Sequence, residues 1–508
     1  MNGSIIPASS GGTTINLSLI SHTNAGKTTL ARTLLGRDVG EVRDAAHVTD
    51  LATGYVLVQA ADDTLMVWDT PGFGDTARLL SRLKLTGNPI GWFLSQVWDR
   101  WRERPLWSSQ QAVRNARDEA DVILYLVNAA EDPASAAYVG LEMEVLGWVG
   151  KPVVVLLNQM GPPREDVSSE IARWDGLTAN GLVRAILPLD AFARCWVQEG
   201  TLLDSVEPLL EPAKRAAMAG LRARWEELNQ ARFGRSMEVL GQYLARAAQD
   251  REPVEEPGWQ GKLAGALTGH GRENAAARKT MGALAARLAE ATSESTDELI
   301  RLHGLSGKAA RQVLDRVGDD YAHPTKTPEG VSAALGGIVS GAVGGLAADL
   351  AAGGLTLGGG MIVGGILGAL GATGVAKGLN AARGEDGSTM RWSSDFFERL
   401  TVTALLRYLA VAHFGRGRGE WTEGEHPPFW KALVEQAVGE RSGELKRLQT
   451  NAAREGRAHP DMEQELTALV RDRAASILAR LYPGAASSTD LARKYVPVVS
   501  EAAEQPLI

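Results

Sequence analysis

The chain has 508 residues, which is longer than one compact domain usually is, so two or three domains are expected. Hydrophobic residues make up 44% of it and charged residues 22%, a composition typical of a globular protein with a buried core. The net charge of −8 argues against a dedicated nucleic-acid binder, and the single cysteine, Cys195, excludes an intramolecular disulfide. The first residues have neither a basic stretch nor an apolar run before a cleavage site, so we expect no secretory signal and a cytoplasmic location.

The first part of the chain alternates segments that resemble strands with segments that resemble helices. An apolar strand at 15–20 leads into a helical pattern that begins at Thr28, and a β-hairpin is predicted at 55–68. Three further strands are predicted at 121–127, 152–157 and 183–187. Because these three are continuously apolar, they suit a parallel sheet buried on both faces. Residues 1–205 are therefore predicted to form an α/β domain with a doubly wound, mostly parallel sheet.

A phosphate-binding motif follows the first strand. Residues 21–28 read SHTNAGKT, which keeps the Gly-Lys-Thr end of a P-loop and has Ser21 where the first glycine usually stands. Gly26 allows the backbone N–H groups to approach phosphate oxygens, and Lys27 supplies positive charge to them. Thr28 offers a hydroxyl to Mg²⁺ at the N-terminus of a helix, a position that favours anions.

A second motif, Asp69-Thr70-Pro71-Gly72, comes directly after the strand predicted at 64–68. An acidic residue there can bind Mg²⁺ through water, and the N–H of Gly72 can reach the γ phosphate of a nucleotide. The alternative interpretation is a simple turn. Two such motifs, each at the end of a strand, favour a nucleotide site.

Together, residues 24–28 and 69–72 make the first 200 residues resemble the Era/TrmE-like bacterial GTPases. The resemblance implies Mg²⁺-dependent hydrolysis of GTP, with Lys27, Thr49 and Gly72 at the reacting phosphate. It implies that Mg²⁺ is held by Thr28, Thr49 and Asp69. The residues implied to bind the nucleotide are Asn24, Ala25, Gly26, Lys27, Thr28, Thr29 and Asn158.

Some positions depart from the family pattern or leave alternatives open. Thr49 matches the switch threonine by position, and Thr53 is the competing choice. Asn24 matches an asparagine that holds K⁺ in some family members, although it can equally serve only to shape the loop. Phe73 stands where Ras-like proteins have the glutamine that orients water, so slow intrinsic turnover is expected.

Base recognition departs furthest from the family. The family motif is Asn-Lys-x-Asp, and its aspartate accepts hydrogen bonds from guanine. In this chain the strand at 153–157 leads into Asn158-Gln159-Met160-Gly161, so the asparagine is kept and the aspartate is replaced. GTP remains the expected ligand, and ATP or a relaxed preference is the alternative. The loop at 188–192 is a candidate to contact the base.

A tryptophan-rich insertion is predicted at 80–109, after the second motif. It carries aromatic residues that either contact a protein partner or membrane or pack against the helical domain: Trp92, Phe93, Trp98, Trp101 and Trp107. The helical spacing of Trp98 and Trp101 favours packing.

The rest of the chain is predicted to be mainly helical, in three parts: 206–328, 329–380 and 381–508. The middle part is a glycine- and alanine-rich hairpin in which glycine recurs every fourth residue, at 337, 341 and 345 and again at 360, 364 and 368. Each limb of about 20 residues would span about 30 Å, enough to cross a bilayer core. Asp349 is costly in a membrane, so 331–376 either contacts lipid or packs as a glycine zipper inside a soluble domain.

Three functions remain open from the sequence. The first is a GTP-binding and GTP-hydrolysing switch that acts at the inner face of the cell membrane through its helical region. The second is a membrane-inserting effector or pore latched by the nucleotide domain. The third is a soluble GTPase or ATPase that serves as an assembly factor. Expected partners are GTP, with Mg²⁺ and K⁺ as cations, lipid through 331–376, a protein through the tryptophan-rich insertion, and a second copy in a nucleotide-dependent dimer. No nucleic acid is expected.

Overall fold

The computed structural model describes residues 11–36, 39, 51–84, 87–96, 103–160, 167–178, 181–191, 195–253, 271–305, 381–383, 389–414, 428–454, 460–483 and 485. Within them, an α/β domain precedes a largely helical region, as the sequence predicts.

The α/β domain is built on a six-stranded sheet with the strand order β2-β3-β1-β4-β5-β6. Its strands are β1 (Thr14–Ser21), β2 (Thr53–Ala60), β3 (Asp63–Asp69), β4 (Val122–Asn128), β5 (Val153–Asn158) and β6 (Val183–Pro188). The hairpin β2–β3 is antiparallel, and every other neighbouring pair is parallel. All six residues of β5 are buried, which is why its sequence is continuously apolar. The predicted doubly wound, mostly parallel sheet is therefore confirmed.

The helices of this domain lie on both faces of the sheet. They are α1 (Lys27–Leu35), α2 (Thr76–Leu83), α3 (Pro89–Ser95), α4 (Arg104–Asp118), α5 (Ala137–Val149), α6 (Ser168–Thr178) and α7 (Trp196–Val206), which a 3₁₀ turn (Glu207–Leu209) follows. Alternating residues of the strands enter two separate cores. Ile123 lies in one with side chains of α2, α4 and α5, and Leu124 lies in the other with α1 and α7.

The helical region contains α8 (Pro212–Gln249), α9 (Gly271–Leu302), α10 (Ser394–Ala412), α11 (Pro428–Gly439), α12 (Ser442–Arg454) and α13 (Pro460–Leu481). It also contains a small antiparallel sheet with the order β7-β9-β8, made of β7 (Arg251–Pro253), β8 (Ala381–Arg383) and β9 (Thr389–Trp392). The part predicted at 381–508 is mainly helical as expected, but it begins with the strands β8 and β9, which the sequence did not predict. Strands of three or four residues are too short to show a period of two, and their partners lie far away in the sequence.

The long helix α8 joins the two parts of the molecule. It packs against β2 and β3 and also against α13. The core on that face of the sheet continues without a break from Val67 in β3 through Trp225 in α8 to Leu466 in α13. At the start of α8, Lys214 donates to both carboxylate oxygens of Asp121, at 2.7 and 2.8 Å. The helical region is thus attached directly to the hairpin that ends at Asp69.

Several predictions concern residues that the structure does not describe. The glycine-rich hairpin at 331–376, Thr49, Trp98, Trp101 and Gly161 all lie outside the described residues. Among the helices that are described, none is both long enough and apolar enough to cross a bilayer.

One part of the tryptophan-rich insertion can be placed. Phe93 in α3 is fully buried in the core shared by α2, α4 and α5, and Trp92 lies partly buried against the same core. The expectation that these rings pack on the helical region is therefore wrong for Phe93 and Trp92. They pack within the α/β domain because α3 lies over the same face of the sheet as α2, α4 and α5.

Candidate nucleotide-binding site

The loop between β1 and α1 has the backbone geometry of a phosphate cradle. Gly26 lies at the N-cap of α1 in the left-handed region, with φ of 90°. A Cβ atom there would lie 2.6 Å from Nδ2 of Asn158, so a glycine is needed both for the conformation and for the space. The first N–H groups of α1 lie directly after this turn. Such a helix N-terminus favours an anion.

The side chain of Lys27 lies across the loop and is nearly buried, with 7% exposed. Its Nζ donates to Oγ of Ser21 at 2.8 Å and to the carbonyl of His22 at 3.3 Å. Burial lowers the pKa of Lys27 to about 8, an effect that the carboxylates of Asp69 and Glu142 partly oppose. Ser21, which departs from the P-loop pattern, therefore provides an oxygen that holds the lysine ammonium in the loop.

Thr28 and Asp69 lie side by side at the end of β3. Oγ1 of Thr28 donates to Oδ2 of Asp69 at 2.7 Å, and Asp69 is buried, with 2% exposed. Burial raises the pKa of Asp69 to about 6. Its other oxygen, Oδ1, is buried and has no hydrogen-bond partner among the residues that the structure describes.

These two side chains fit a magnesium ion. Mg²⁺ prefers hard oxygen ligands and keeps several waters, and it is commonly held by one or two protein oxygens together with substrate phosphates. The Thr28 hydroxyl and the Asp69 carboxylate supply such oxygens beside the phosphate loop. A buried carboxylate oxygen without a partner is also an unfavourable arrangement that a cation or its bound water would relieve.

The Asp69–Gly72 segment is joined to the phosphate loop by backbone hydrogen bonds. The N–H of Phe73 donates to the carbonyl of Ser21 at 2.9 Å, and the N–H of Thr23 donates to the carbonyl of Phe73 at 3.2 Å. A Cβ atom on Gly72 would lie 2.8 Å from Cα of Thr23 and 3.1 Å from Nζ of Lys27. Only glycine permits this approach, and it places Gly72 beside the lysine ammonium.

A buried carboxylate that the sequence analysis did not identify lies behind the loop. Glu142 of α5 is fully buried; its Oε1 is 2.7 Å from Nδ1 of His22 and accepts from Oγ1 of Thr76 at 3.0 Å. Its Oε2 accepts from the hydroxyl of Tyr125 at 2.7 Å. Burial, and then the nearby Glu142 carboxylate, raise the pKa of Tyr125 well above its ordinary value. The available sequence signal was a glutamate at helical spacing between the apolar residues Val139 and Leu146.

On the other side of the loop, Asn158 connects three segments. Its Nδ2 donates to the carbonyl of Ala25 at 2.7 Å, and its Oδ1 accepts from the N–H of Ala191 at 2.8 Å. The N–H of Met160 donates to Oδ2 of Asp190 at 2.8 Å. The phosphate loop, the end of β5 and the loop after β6 therefore meet at one edge of the sheet.

The remaining predicted site residues differ in their exposure and in the elements that carry them. Asn24 is exposed at the tip of the phosphate loop, with φ of 67°, whereas Thr29 is buried in α1. Thr53, the competing switch threonine, is exposed at the start of β2, where its Cα pairs with that of Asp69 in the β-ladder. Phe73 is fully buried in the core of the α/β domain.

Comparison with known proteins agrees with this geometry. Residues 16–159 match the family model described as 50S ribosome-binding GTPase, which identifies the first domain as a P-loop GTPase domain. Residues 179–478 match the model described as Domain of unknown function (DUF3482). The chain therefore belongs to the DUF3482 family. A search of curated proteins gave no match.

Solved structures with some similarity include GTP-binding proteins. Era from Aquifex aeolicus bound to GDP and AlF₄⁻ is 20% identical, with a TM-score of 0.28 over 39% of this chain and 57% of the Era chain. NFeoB from S. thermophilus bound to mGMPPNP is 13% identical, with a TM-score of 0.22 over 58% of this chain and 98% of its own. An oligomerised bacterial dynamin pair is 10% identical, with a TM-score of 0.22 over 94% of this chain and 70% of its own. This chain thus spans little more than half of the Era chain.

Proposed function

We propose that this protein is a Mg²⁺-dependent switch that binds and hydrolyses GTP, and that its nucleotide state alters the helical C-terminal region. The observation that carries the proposal is the 2.7 Å contact between Thr28 and Asp69, with Oδ1 of Asp69 buried beside it. This pair lies at the N-terminus of α1, next to the ammonium of Lys27. Hard oxygen ligands, a cation and a helix N-terminus together suit the β and γ phosphates of a nucleotide and its metal.

The reaction would be attack of water on the γ phosphorus with loss of the nucleoside diphosphate. Lys27 would hold the β and γ phosphates, and Gly72 lies beside its ammonium, where an added Cβ atom would be 3.1 Å from Nζ. Thr28 and Asp69 would hold Mg²⁺, with Thr49 as a further ligand; bound Mg²⁺ neutralises charge on the phosphate oxygens. A phosphate at Lys27 competes with Ser21 and His22 for the ammonium protons, so nucleotide binding would rearrange these contacts.

Turnover is expected to be slow without a partner or a cation. Phe73 occupies the position that would carry a water-orienting glutamine, and its side chain is apolar and fully buried. Asn24 is exposed in the phosphate loop, and its amide would hold K⁺ near the phosphates, which would supply positive charge there. Activity would then depend on K⁺ and not on Na⁺ of the same charge.

A change in the bound nucleotide would alter the helical region through movement of the β2–β3 hairpin. Asp69 ends β3, and α8 packs directly on β2 and β3. Packed cores shift between discrete arrangements more readily than they deform continuously. A displacement of the Asp69 end of the hairpin would therefore change how α8 packs. Contact of residues 331–376 with lipid rests on their sequence alone, and flotation of the full chain with liposomes tests it.

Hydrolysis of GTP by the full chain tests the proposal. We expect release of inorganic phosphate that requires Mg²⁺ and is faster in K⁺ than in Na⁺. Asp69→Asn should lower the rate by about 10–100-fold, the usual effect of losing a group that orients a metal site. Asp118→Asn, at the exposed end of α4, is the matched control and should leave the rate unchanged. Equal rates for Asp69→Asn and Asp118→Asn would contradict the proposal.

A further inference from the structure

We propose that Asp190 is the residue that selects guanine in this protein. The proposal rests on the nucleotide-binding function proposed above and names the group that reads the base. The chain has Gly161 where the family motif has its guanine-binding aspartate, so a carboxylate must come from elsewhere if GTP is preferred. Asp190 stands in a different loop, directly after β6.

Its position is at the edge of the sheet where the base would lie. The strands β5 and β6 are parallel neighbours, so their carboxyl ends reach the same edge. Asp190 follows the end of β6, and its Oδ2 accepts from the N–H of Met160, at 2.8 Å, just beyond the end of β5. The carboxylate therefore lies beside Met160, the residue that precedes Gly161 in the sequence.

The loop that carries Asp190 is fixed to the phosphate site at two points. The N–H of Ala191 donates to Oδ1 of Asn158 at 2.8 Å, and Nδ2 of the same amide donates to the carbonyl of Ala25 in the phosphate loop. The carbonyl of Ala191 accepts from Oγ1 of Thr33 in α1 at 2.9 Å. Asp190 is itself buried, with 6% exposed. A carboxylate held in this way meets a base at a set distance from the phosphates, which is the preorganisation that specificity requires.

The chemistry of a carboxylate favours guanine over adenine. An ionised carboxylate only accepts hydrogen bonds, and guanine presents two adjacent donors, N1–H and the 2-amino group. Adenine presents an acceptor at N1, which a carboxylate would repel. Sites that pair buried polar groups with a ligand reject an analogue that lacks those groups by large factors, because the buried groups are left without partners. Nδ2 and Oδ1 of Asn158 each bond to a backbone group of a neighbouring loop, so this amide connects the loops.

The test is equilibrium binding of GTP, XTP and ATP, each with Mg²⁺, to the wild-type chain and to Asp190→Asn. Xanthine keeps the N1–H donor but has a carbonyl acceptor in place of the 2-amino group, which suits an amide with one acceptor and one donor. We expect the wild type to prefer GTP, and the ratio of XTP to GTP affinity to rise by about 100-fold or more in Asp190→Asn. Asp118→Asn is the matched control and should keep the wild-type ratio.

A second measurement uses the wild type alone, in case the variant does not fold. ITP lacks only the 2-amino group, so it should bind at least about tenfold more weakly than GTP. Equal affinity for GTP and ITP, or for GTP and ATP, would overturn the role of Asp190 while leaving nucleotide binding intact. A variant that weakens GTP and XTP by the same factor would also overturn it, because a purely structural brace has that effect. Failure of the wild type to bind any nucleotide would overturn the proposed function, and this proposal with it.

Discussion

Nδ1 of His22 lies 2.7 Å from Oε1 of Glu142, so the second residue of the phosphate loop is held by a fully buried carboxylate of α5. The same oxygen accepts from Oγ1 of Thr76, the first residue of α2, which follows the Asp69–Gly72 segment along the chain. The phosphate loop and the first turn of α2 thus share one carboxylate. A movement of either one changes the hydrogen bonds available to the other.

Glu142→Gln should destabilise the protein and weaken nucleotide binding together. The variant replaces one acceptor oxygen with an amide donor, which cannot accept from the hydroxyl of Tyr125 or Thr76 that faces it. We expect the free energy of unfolding to fall by about 1–3 kcal/mol, measured by urea denaturation, because a buried polar group loses its partner. GTP affinity, measured by titration calorimetry, should fall as His22 is released.

The matched control is Glu144→Gln on the same helix. Glu144 pairs with Lys84 at 3.0 Å, and both side chains are well exposed, so its effect should stay within about 0.5 kcal/mol. If Glu142→Gln proves as stable as Glu144→Gln and binds GTP like the wild type, the shared carboxylate has no role in the loop.

Gly26→Ala should abolish tight nucleotide binding. The new Cβ atom would lie 2.6 Å from Nδ2 of Asn158, and φ of 90° is strained for any residue with a side chain. We expect GTP affinity to drop by at least about tenfold, since the strain of about 1–2 kcal/mol falls on the phosphate loop itself. Gly147→Ala in α5, where nothing lies within 4 Å of the added atom, serves as the comparison and should bind normally. Similar affinities for the two variants would count against this loop as the phosphate site.

Nucleotide affinity should fall as the pH rises through 8. Burial lowers the pKa of Lys27 to about 8 in the free protein, whereas bound phosphates stabilise the charged ammonium and raise it. Below pH 8 the lysine is already protonated and affinity changes little; above pH 8 binding must take up a proton. Affinity should therefore decrease by about tenfold between pH 7 and pH 9.

Titration calorimetry in buffers of different ionisation enthalpy measures both the affinity and the proton uptake. Lys27→Arg keeps its charge across this range, so its pH dependence should be flat even if its affinity is lower overall. A wild-type affinity that does not change from pH 7 to pH 9 would show that Lys27 is not the titrating group.

The contact between α8 and α13 gives a prediction about stability alone. A Cβ atom on Gly241 would lie 2.0 Å from Oγ1 and 2.9 Å from Cα of Thr467, so Gly241→Ala must push the two helices apart. We expect the free energy of unfolding to fall by about 1–3 kcal/mol. Gly220→Ala in the same helix, with nothing within 4 Å, should instead raise it by about 0.5–1 kcal/mol. Thermal denaturation of both variants measures these opposite changes in stability. Equal shifts in melting temperature would mean that the helices do not meet at Gly241.

The features that the sequence predicts best are those encoded over short distances. The β1 strand, the Gly26 turn and the start of α1 follow one another within 15 residues, and their periodicity and glycine placement specify the cradle locally. The hairpin and the buried parallel strands are predictable for the same reason.

Contacts between distant residues could not be predicted in this way. His22 and Glu142 are 120 positions apart, and a glutamate within an apolar helical pattern does not reveal which residue it will meet. Asp190 belongs to a loop of no marked composition, and its link to Met160 depends on two parallel strands ending at the same edge. The small sheet formed by β7, β8 and β9 depends on pairing between distant parts of the chain, which strands of three or four residues do not reveal.

Calorimetric titration of the full chain with GTP and Mg²⁺ tests most directly whether the phosphate loop binds a nucleotide. The titration compares the wild type with Lys27→Ala and Lys151→Ala. Lys151 lies before β5, at the opposite edge of the sheet from the phosphate loop, and serves as the charge-matched control. We predict saturable binding of GTP to the wild type and Lys151→Ala, and its loss in Lys27→Ala. Equal binding to all three proteins, or no binding to the wild type, would show that Lys27 does not hold a nucleotide phosphate.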